Sequence, residues 1–292
     1  MWSYVVYGYV LENCKLRQIR MPNVAGMFYP AEPELLVRTL DEMLGRARVH
    51  VEPPPKAVIA PHAGYVYSGP VAASAYAALR PLAGRIERVV VLAPSHRVAF
   101  RGIAASTAEA FRTPLGDIPV DSEAIEAATR LPGYPATRLP GYPATRLPGV
   151  GYLDEAFEGE HALEVQLPFL QRVLGDFRLL PFIVGDANPE TVANLLDTLW
   201  GGDETLIVIS SDLSHYHDYA TARSLDERTT ARIEALDLHI GHDDACGSRP
   251  IRGLLLAARK HGLHAETLDL RNSGDTAGPR DRVVGYGAYV FH

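Results

Sequence analysis

Short runs of apolar, mostly β-branched residues alternate along the chain with longer segments in which apolar residues recur every three or four positions. The short runs predict strands, and the longer segments predict amphipathic helices between them. This alternation is typical of an α/β fold, in which helices flank a central, mainly parallel or mixed sheet. The predicted strands cover residues 56–60, 88–93, 178–184, 205–210, 265–270 and 283–291, and the predicted helices cover residues 68–79, 121–129, 161–174, 189–200, 225–236 and 250–261.

Two segments stand outside this alternation. The octapeptide RLPGYPAT occurs twice in residues 130–145, and RLPG begins again at Arg146. A repeat this short cannot form a core of its own, so we interpret it as a duplicated surface loop. Residues 1–20 open with an apolar stretch that has neither a basic start nor a small-residue cleavage site. We interpret them as an N-terminal extension from a start assigned too early, with Met21 as the natural first residue, and expect residues 21–292 to form a single domain.

The composition limits the class of protein and of partner. The 292 residues are 47% hydrophobic and 22% charged, as in ordinary globular proteins. A net charge of -7 offers no basic face for phosphates, so we expect a small-molecule or peptide ligand and neither nucleic acid nor a membrane as partner. The two cysteines, Cys14 and Cys246, are far apart in the sequence. That arrangement excludes a disulfide framework and favours a cytoplasmic protein.

Three of the predicted strands run directly into polar turns that carry histidine. AVIAPHAGY leads into His62, VVVLAPSH leads into His96, and LIVISSDLSHYHD leads into Asp212 and His215. Because the carboxyl ends of parallel strands lie at one edge of a doubly wound sheet, we expect these side chains to be neighbours. Imidazole is a good ligand for iron, copper and zinc. The pattern therefore predicts a metal site built on His62 and His96.

A third ligand is needed, and two residues are candidates. Asp212 stands in a strand-end turn, where capping of the following helix is its structural alternative. Cys246 stands just before a predicted helix, whose dipole favours a thiolate, and its alternative is a small buried apolar residue. His161, at the predicted start of a helix, lies between Glu160 and Glu164. It is either a proton carrier or partner of a ligand, or a solvated residue of the first turn.

Several of these segments, taken in order, resemble the MEMO family. They are APHAGYVYSG with His62, LAPSH with His96, FRTPLGD, GEHALEVQLPFL with His161, ISSDLSH with Asp212 and His215, CGSRPI with Cys246, and the closing NSGD and VVGYGA. VAGMFYP near Val24 resembles the start of the family, and the resemblance covers nearly everything from residue 21 onward. Ordered motifs in this number are far more specific than any single short pattern.

The resemblance implies the fold of the class III extradiol, or LigB-type, dioxygenases, which hold non-haem iron. Carried over by position, it implies His62 and His96 as metal ligands, with Cys246 where the dioxygenases have a carboxylate. A thiolate is softer than a carboxylate and favours copper(I), zinc or iron with altered redox behaviour. The resemblance also implies His215 as the acid–base residue. In the oxidoreductase hypothesis that follows, Asp212 and His161 are the further catalytic residues and orient the ligands and His215.

Two classes of function follow. The first is a metal-dependent oxidoreductase, in which an iron or copper ion, with zinc as a further candidate, meets oxygen and a small aromatic or reduced substrate. The second is a non-catalytic protein that uses the same pocket to bind a small molecule, a peptide or a metal ion, as the resemblance to eukaryotic MEMO relatives implies. A metal-dependent hydrolase is a third, weaker hypothesis. Metal content and oxygen uptake of the purified protein discriminate between the first two.

Overall fold

The computed structural model describes residues 18–129 and 149–292. The RLPGYPAT repeat and residues 1–17 of the predicted extension lie outside the described residues. The α-helices are α1 Pro33–Arg46, α2 Tyr65–Ala77, α3 Ser122–Thr129, α4 Leu167–Leu174, α5 Pro189–Thr198, α6 Tyr219–Glu234 and α7 Ser248–His261. The strands are β1 Ile19–Arg20, β2 Ala57–Ala60, β3 Arg88–Pro94, β4 Ile103–Ala105, β5 Ala110–Thr113, β6 Gly116–Pro119, β7 Val150–Tyr152, β8 Arg178–Val184, β9 Thr205–Ser210, β10 His215–His217, β11 Ala265–Asn272 and β12 Val283–Phe291.

Nine of the described strands form one mixed sheet. Their order is β10-β12-β2-β9-β3-β8-β4-β7, with β11 also paired to β12. The central strands β2, β9, β3 and β8 run parallel to one another, whereas β12 joins β2 and β4 joins β8 in antiparallel pairs. Strands β1, β5 and β6 form a separate small sheet. The predicted fold class, a single α/β domain with a mixed sheet flanked by helices, is confirmed and is compatible with the LigB-type fold.

The central strands are apolar apart from a few end residues, because helices cover the sheet. Every residue of β2 and β9 is buried, as are all residues of β3 after Arg88. Helix α2 packs against β2 and β12, and helix α7 packs against β3 and β9. Continuous burial of this kind is what parallel strands in α/β proteins require. None of the helices within the described ranges is both long and apolar enough to cross a bilayer.

Three predicted helix starts near the site are wrong. Helix α2 begins at Tyr65 and not at residue 68, and helix α6 begins at Tyr219 and not at residue 225. The helix predicted for residues 161–174 begins only at Leu167, after a 3₁₀ turn at Glu164–Gln166. The backbone N–H groups of His161 and Ala162 donate to the carboxylate of Glu160, each at 3.0 Å, so a side chain takes the place of the first helical hydrogen bonds. His161 therefore lies in an irregular turn before the helix and is not part of its first turn.

Candidate metal centre

The strand order places three of the predicted site residues at one edge of the sheet. Strands β2 and β3 both lie beside β9, and all three run parallel. His62, His96 and Asp212 each follow one of these strands by two residues. The ring centroids of His62 and His96 lie 5.2 Å apart. The expected convergence of the two strand-end histidines is therefore confirmed.

His161 joins these two histidines from the turn before α4. Its ring centroid lies 5.4 Å from that of His62 and 5.0 Å from that of His96, with the latter two rings nearly parallel at 21°. One ligand atom from each of the three imidazoles lies within 4.8 Å of the others. The three side chains could therefore hold one metal ion. Among the residues of the two described ranges, no other group of three or more histidine, cysteine or carboxylate side chains has that spacing.

His62 is buried, and its ring is held at one nitrogen. Its Nδ1 lies 2.8 Å from the hydroxyl oxygen of Ser210, at the end of β9. Its Nε2 lies on the cavity side, 3.3 Å from Sγ of Cys246 and 4.0 Å from a carboxylate oxygen of Asp212. Burial, followed by the neighbouring histidines, lowers the pKa of His62 well below its ordinary value. The ring is therefore neutral, which is the form that binds a metal ion.

His96 is held by the carboxylate of Glu160. Its Nδ1 lies 2.9 Å from Oε1 of Glu160, and its backbone N–H donates to Oε2 at 2.6 Å. Burial acts to raise the pKa of Glu160, but the hydrogen bonds from His96 and from the backbone of Ala162 outweigh it, so the pKa lies below its ordinary value. An ionised Glu160 accepts a proton-bearing Nδ1. The other ring nitrogen, Nε2, is left to act as a ligand, an arrangement that orients metal-binding histidines in many proteins.

His161 has an unsatisfied ring nitrogen. Its Nδ1 is buried and has no hydrogen-bond partner among the described residues, although Oε1 of Glu160 lies 3.5 Å away. Phe28 packs against the ring, with 4.8 Å between the centroids. Burial is the largest cause that lowers the pKa of His161 to about 4. The imidazole is therefore neutral, and its nitrogen lone pair is available to bind a metal ion. The alternative interpretation, a solvated residue of the first turn, does not hold, because only 18% of the side chain is exposed and the helix begins later, at Leu167.

The segment that carries Phe28 is fixed by a buried carboxylate. Glu164 accepts the backbone N–H of Asn23 at 2.6 Å and that of Val24 at 2.9 Å, and the hydroxyl of Tyr29 donates to it at 2.6 Å. These three hydrogen bonds hold the segment against the turn that bears His161. Glu164 thus positions the segment that carries Phe28, which lines the cavity.

Cys246 lies beside His62 but is a thiol in these surroundings. Its Sγ accepts the backbone N–H of Asp212 at 3.3 Å. Burial, followed by the charge of Asp212, raises the pKa of the thiol to about 12. Burial and the neighbouring carboxylate of Asp212 thus act against the thiolate that the dipole of the next helix was expected to favour.

Asp212 connects the ends of two strands. Its Oδ1 accepts the backbone N–H of His62 at 2.7 Å, and the backbone N–H of Ala63 also donates to it. Burial is the main cause that raises the pKa of Asp212 to about 7. Capping of the following helix is not its role, because α6 is capped by Asp218, which accepts the N–H groups of Ala220 and Thr221.

The histidines open into a cavity of about 1120 Å³. His215 lines it from β10, and burial is the main cause that lowers the pKa of this half-buried ring. At the mouth, the guanidinium of Arg282 lies 4.4 Å from the ring centroid of Tyr216. The remaining side chains that matter for the chemistry of the wall are Phe28, Tyr67, Arg97, His217, His242 and Tyr286. The cavity thus combines an imidazole-rich floor with aromatic and cationic groups.

Two residues that form hydrogen bonds with the histidine rings were not predicted from the sequence. Glu160 was considered as a neighbour of His161, whereas its carboxylate binds His96, 64 residues away in the chain. Ser210 was counted only as the last residue of a strand, whereas it binds His62. The signal for Ser210 was a hydroxyl residue that ends an otherwise apolar run, TLIVIS, beside a polar turn.

A protein-family model and several known proteins match this chain over most of its length. The family model described as Memo-like protein matches residues 20–290. A MEMO1 family protein of Methanopyrus kandleri is 34% identical over 93% of this chain and 98% of its own length. One from Methanosarcina barkeri is 35% identical over 93% of this chain and 99% of its own. One from Pyrobaculum arsenaticum is 32% identical over 94% of this chain and 99% of its own.

Proposed function

The chain belongs to the family of Memo-like proteins, and on that premise we propose that it is a metal-dependent oxidoreductase whose ion, iron or copper, is held by His62, His96 and His161. One observation carries the proposal: the three imidazoles place a ligand atom each within 4.8 Å of the others at the floor of an open cavity. Donor atoms about 2.0–2.1 Å from a shared ion lie at separations within that limit.

The donor set fits iron or copper. Imidazole nitrogens suit iron, copper and zinc, whereas magnesium and calcium prefer oxygen ligands. The lowered pKa values of His62 and His161 keep both rings unprotonated near neutral pH. His62 and His96 are each held at Nδ1 by a partner outside the cavity. Ligands that are neutral and already oriented lose little freedom when an ion binds.

Cys246 is the competing third ligand. Its Sγ lies 3.3 Å from Nε2 of His62, close to the separation of a nitrogen and a sulfur that share an ion at about 2.0 Å and 2.3 Å respectively. Binding through sulfur requires loss of the thiol proton, and burial and Asp212 oppose that loss. His161 requires no such loss. This difference, together with the spacing of the three imidazoles, favours His161 as the third ligand.

The protein side chains provide the rest of the chemistry. A bound iron or copper ion would supply electron transfer with oxygen and open coordination positions. His215, whose pKa is lowered by burial, is an unprotonated base that lines the same cavity and can accept a proton from a bound substrate. Asp212 holds the backbone of His62 in place through its two accepted N–H groups. Phe28 and Tyr67 provide apolar walls for a small aromatic substrate.

The open mouth supports a second candidate function. Tyr216 and Tyr67 are exposed at the cavity, at 63% and 41% respectively, and Arg282 lies over the Tyr216 ring. Exposed aromatic and arginine side chains are common at sites that bind peptides. A non-catalytic protein that holds a peptide or a metal ion would use the same surface. The two functions differ in turnover with oxygen.

Metal analysis tests the proposal and the ligand assignment together. We expect the wild-type protein, prepared anaerobically with iron(II) or copper(I), to retain about one ion per chain, and we expect His62→Ala and His161→Ala to retain almost none. His217→Ala, which changes an exposed histidine of the same cavity, is the control. Loss of the ion in Cys246→Ser but not in His161→Ala would reassign the third ligand to sulfur.

Oxygen uptake then distinguishes the two functions. We expect the loaded wild-type protein to consume oxygen when catechols or other small reduced aromatic compounds are added. A loaded protein that consumes no oxygen with any of them favours the binding function. A wild-type protein that retains no ion of either kind refutes the proposed metal centre.

A further inference from the structure

We propose that Ser210 is a positioning residue that fixes which ring nitrogen of His62 carries the proton, and that Gln166 and Tyr76 hold Ser210 in this role. The inference rests on the proposed metal centre, but it concerns side chains that lie behind the ligands. Ser210, Gln166 and Tyr76 are completely buried, and His62 is 2% exposed. Buried polar groups of this kind must satisfy one another, so their hydrogens can be assigned by counting donors and acceptors.

The hydroxyl of Ser210 has one proton and three polar neighbours. Its Oγ lies 2.6 Å from the carbonyl oxygen of Ala162, which can only accept, so the hydroxyl proton is donated there. The amide nitrogen of Gln166 donates to the same Oγ at 2.7 Å. Nδ1 of His62 is the third neighbour, at 2.8 Å. Because the hydroxyl has no second proton, Nδ1 must donate in this hydrogen bond.

The side-chain amide of Gln166 has one orientation that its neighbours accept. Its Oε1 accepts the hydroxyl proton of Tyr76 at 2.6 Å. Its Nε2 donates to the carbonyl oxygen of Pro61 at 3.1 Å as well as to Ser210. Rotation of the amide by half a turn would place an oxygen against that carbonyl and against the lone pairs of Ser210. Tyr76 and Pro61 therefore fix the amide, and the amide in turn keeps Ser210 an acceptor toward His62.

The consequence reaches the cavity through the imidazole. With the proton on Nδ1, neutral His62 has its lone pair on Nε2, the nitrogen that lies 3.3 Å from Cys246. A neutral histidine without such a partner distributes its proton between both nitrogens. Molecules with the proton on Nε2 would have to move it before they bind an ion. Partners of this kind commonly contribute 10- to 100-fold to metal affinity, so about that loss is expected when Ser210 loses its hydroxyl.

The wild-type protein alone provides the first test. Metal-free protein labelled with ¹⁵N-histidine is examined by long-range ¹H–¹⁵N correlation, with His62 assigned by its disappearance in His62→Gln. We expect the pattern of a neutral ring protonated at Nδ1. A ring protonated at Nε2, or an equal mixture of the two forms, overturns the proposal. This measurement requires no ion, so its outcome does not depend on whether the metal centre exists.

A matched pair of variants provides the second test. Ser210→Ala removes the acceptor, and Ser106→Ala removes another buried serine hydroxyl, which donates to Asp154 at 2.8 Å away from the cavity. We expect anaerobic titration with iron(II) to give about 10- to 100-fold weaker binding for Ser210→Ala and wild-type binding for Ser106→Ala. Equal affinity of Ser210→Ala and the wild-type protein overturns the proposal. If the wild-type protein binds no iron(II), the proposed function fails, and the NMR result decides the role of Ser210.

Discussion

Replacement of Glu160 by glutamine is the most informative single change to the site. The wild-type carboxylate accepts four hydrogen bonds: Oε1 from the ring of His96 and from the backbone of His161 and Ala162, and Oε2 from the backbone of His96. Glutamine keeps the shape but has an acceptor at only one of the two positions. Its oxygen will occupy the Oε1 position, because three donors converge there. The amide NH₂ then faces the backbone N–H of His96.

The free-energy cost follows from this count. The three remaining hydrogen bonds change from charge-assisted to neutral, which weakens each by about 1 kcal/mol. The backbone N–H of His96 loses its partner at a part-buried position, which costs about 1 kcal/mol more. These contributions are not strictly additive, and we expect Glu160→Gln to lower the free energy of unfolding by about 4 kcal/mol. The loosened His96 ring should also weaken metal binding by about 10- to 100-fold.

Two measurements and one control decide the matter. Urea denaturation of the metal-free protein gives the free energy of unfolding, and anaerobic titration with iron(II) gives the affinity. Glu158→Gln removes an equal charge from an exposed position two residues away and should change neither quantity appreciably. Wild-type metal affinity in Glu160→Gln would refute the role given to the carboxylate. An equal loss in both variants would show that net charge near the site, and not the hydrogen bonds, is responsible.

Further predictions concern packing, pH and the ion. Gly253→Ala should destabilise the protein by about 1–2 kcal/mol in urea denaturation, because the new Cβ would lie 2.2 Å from Cγ1 of Val192. The control Gly45→Ala should instead stabilise α1 by up to about 1 kcal/mol, because its new Cβ would meet nothing within 4 Å. Burial raises the pKa of Asp226 from 3.8 to about 6, so the folded state binds the carboxyl proton more tightly than the unfolded state does. The stability gained from this proton is complete below pH 3.8 and is lost as pH rises through 6. Asp226→Asn should therefore gain roughly 3 kcal/mol relative to wild type between pH 3.5 and 7.5, and a constant difference would contradict the assignment. Iron(II) at 100 times its dissociation constant should stabilise the wild-type protein by about 2.7 kcal/mol, seen as a higher melting temperature, and should leave His62→Ala unchanged.

The sequence was sufficient to predict the strands at the centre of the sheet. The prediction for residues 205–210 matches β9, and that for residues 178–184 matches β8, because both strands are apolar between their end residues. Helix α1 was missed, although Leu36, Leu40 and Leu44 occur at helical spacing and are buried. The strands of the small sheet and at the sheet edge are two to four residues long. Such short segments carry too few alternating positions to be recognised by their pattern.

The only part of the site that could be predicted from the sequence was the set of residues that directly follow the parallel strands. His62, His96 and Asp212 were placed together because parallel strands end at one edge of the sheet. The partner of each ring was not predictable, because Ser210 is 148 residues from His62 in the chain and Glu160 is 64 residues from His96. Such contacts depend on how separate segments fold together. The third histidine of the cluster, His161, was also not placed correctly, because the turn that carries it was predicted to be a helix.

Strand β9 separates the two strands that carry His62 and His96. Two strand spacings amount to about 9–10 Å, yet the ring centroids are 5.2 Å apart, so the rings lean toward each other across the end of β9. An ion between the rings would thus act as a cross-link over the middle of the sheet. Loading should slow amide hydrogen exchange at the carboxyl ends of all three strands while leaving the far end of β9, at Thr205, unchanged.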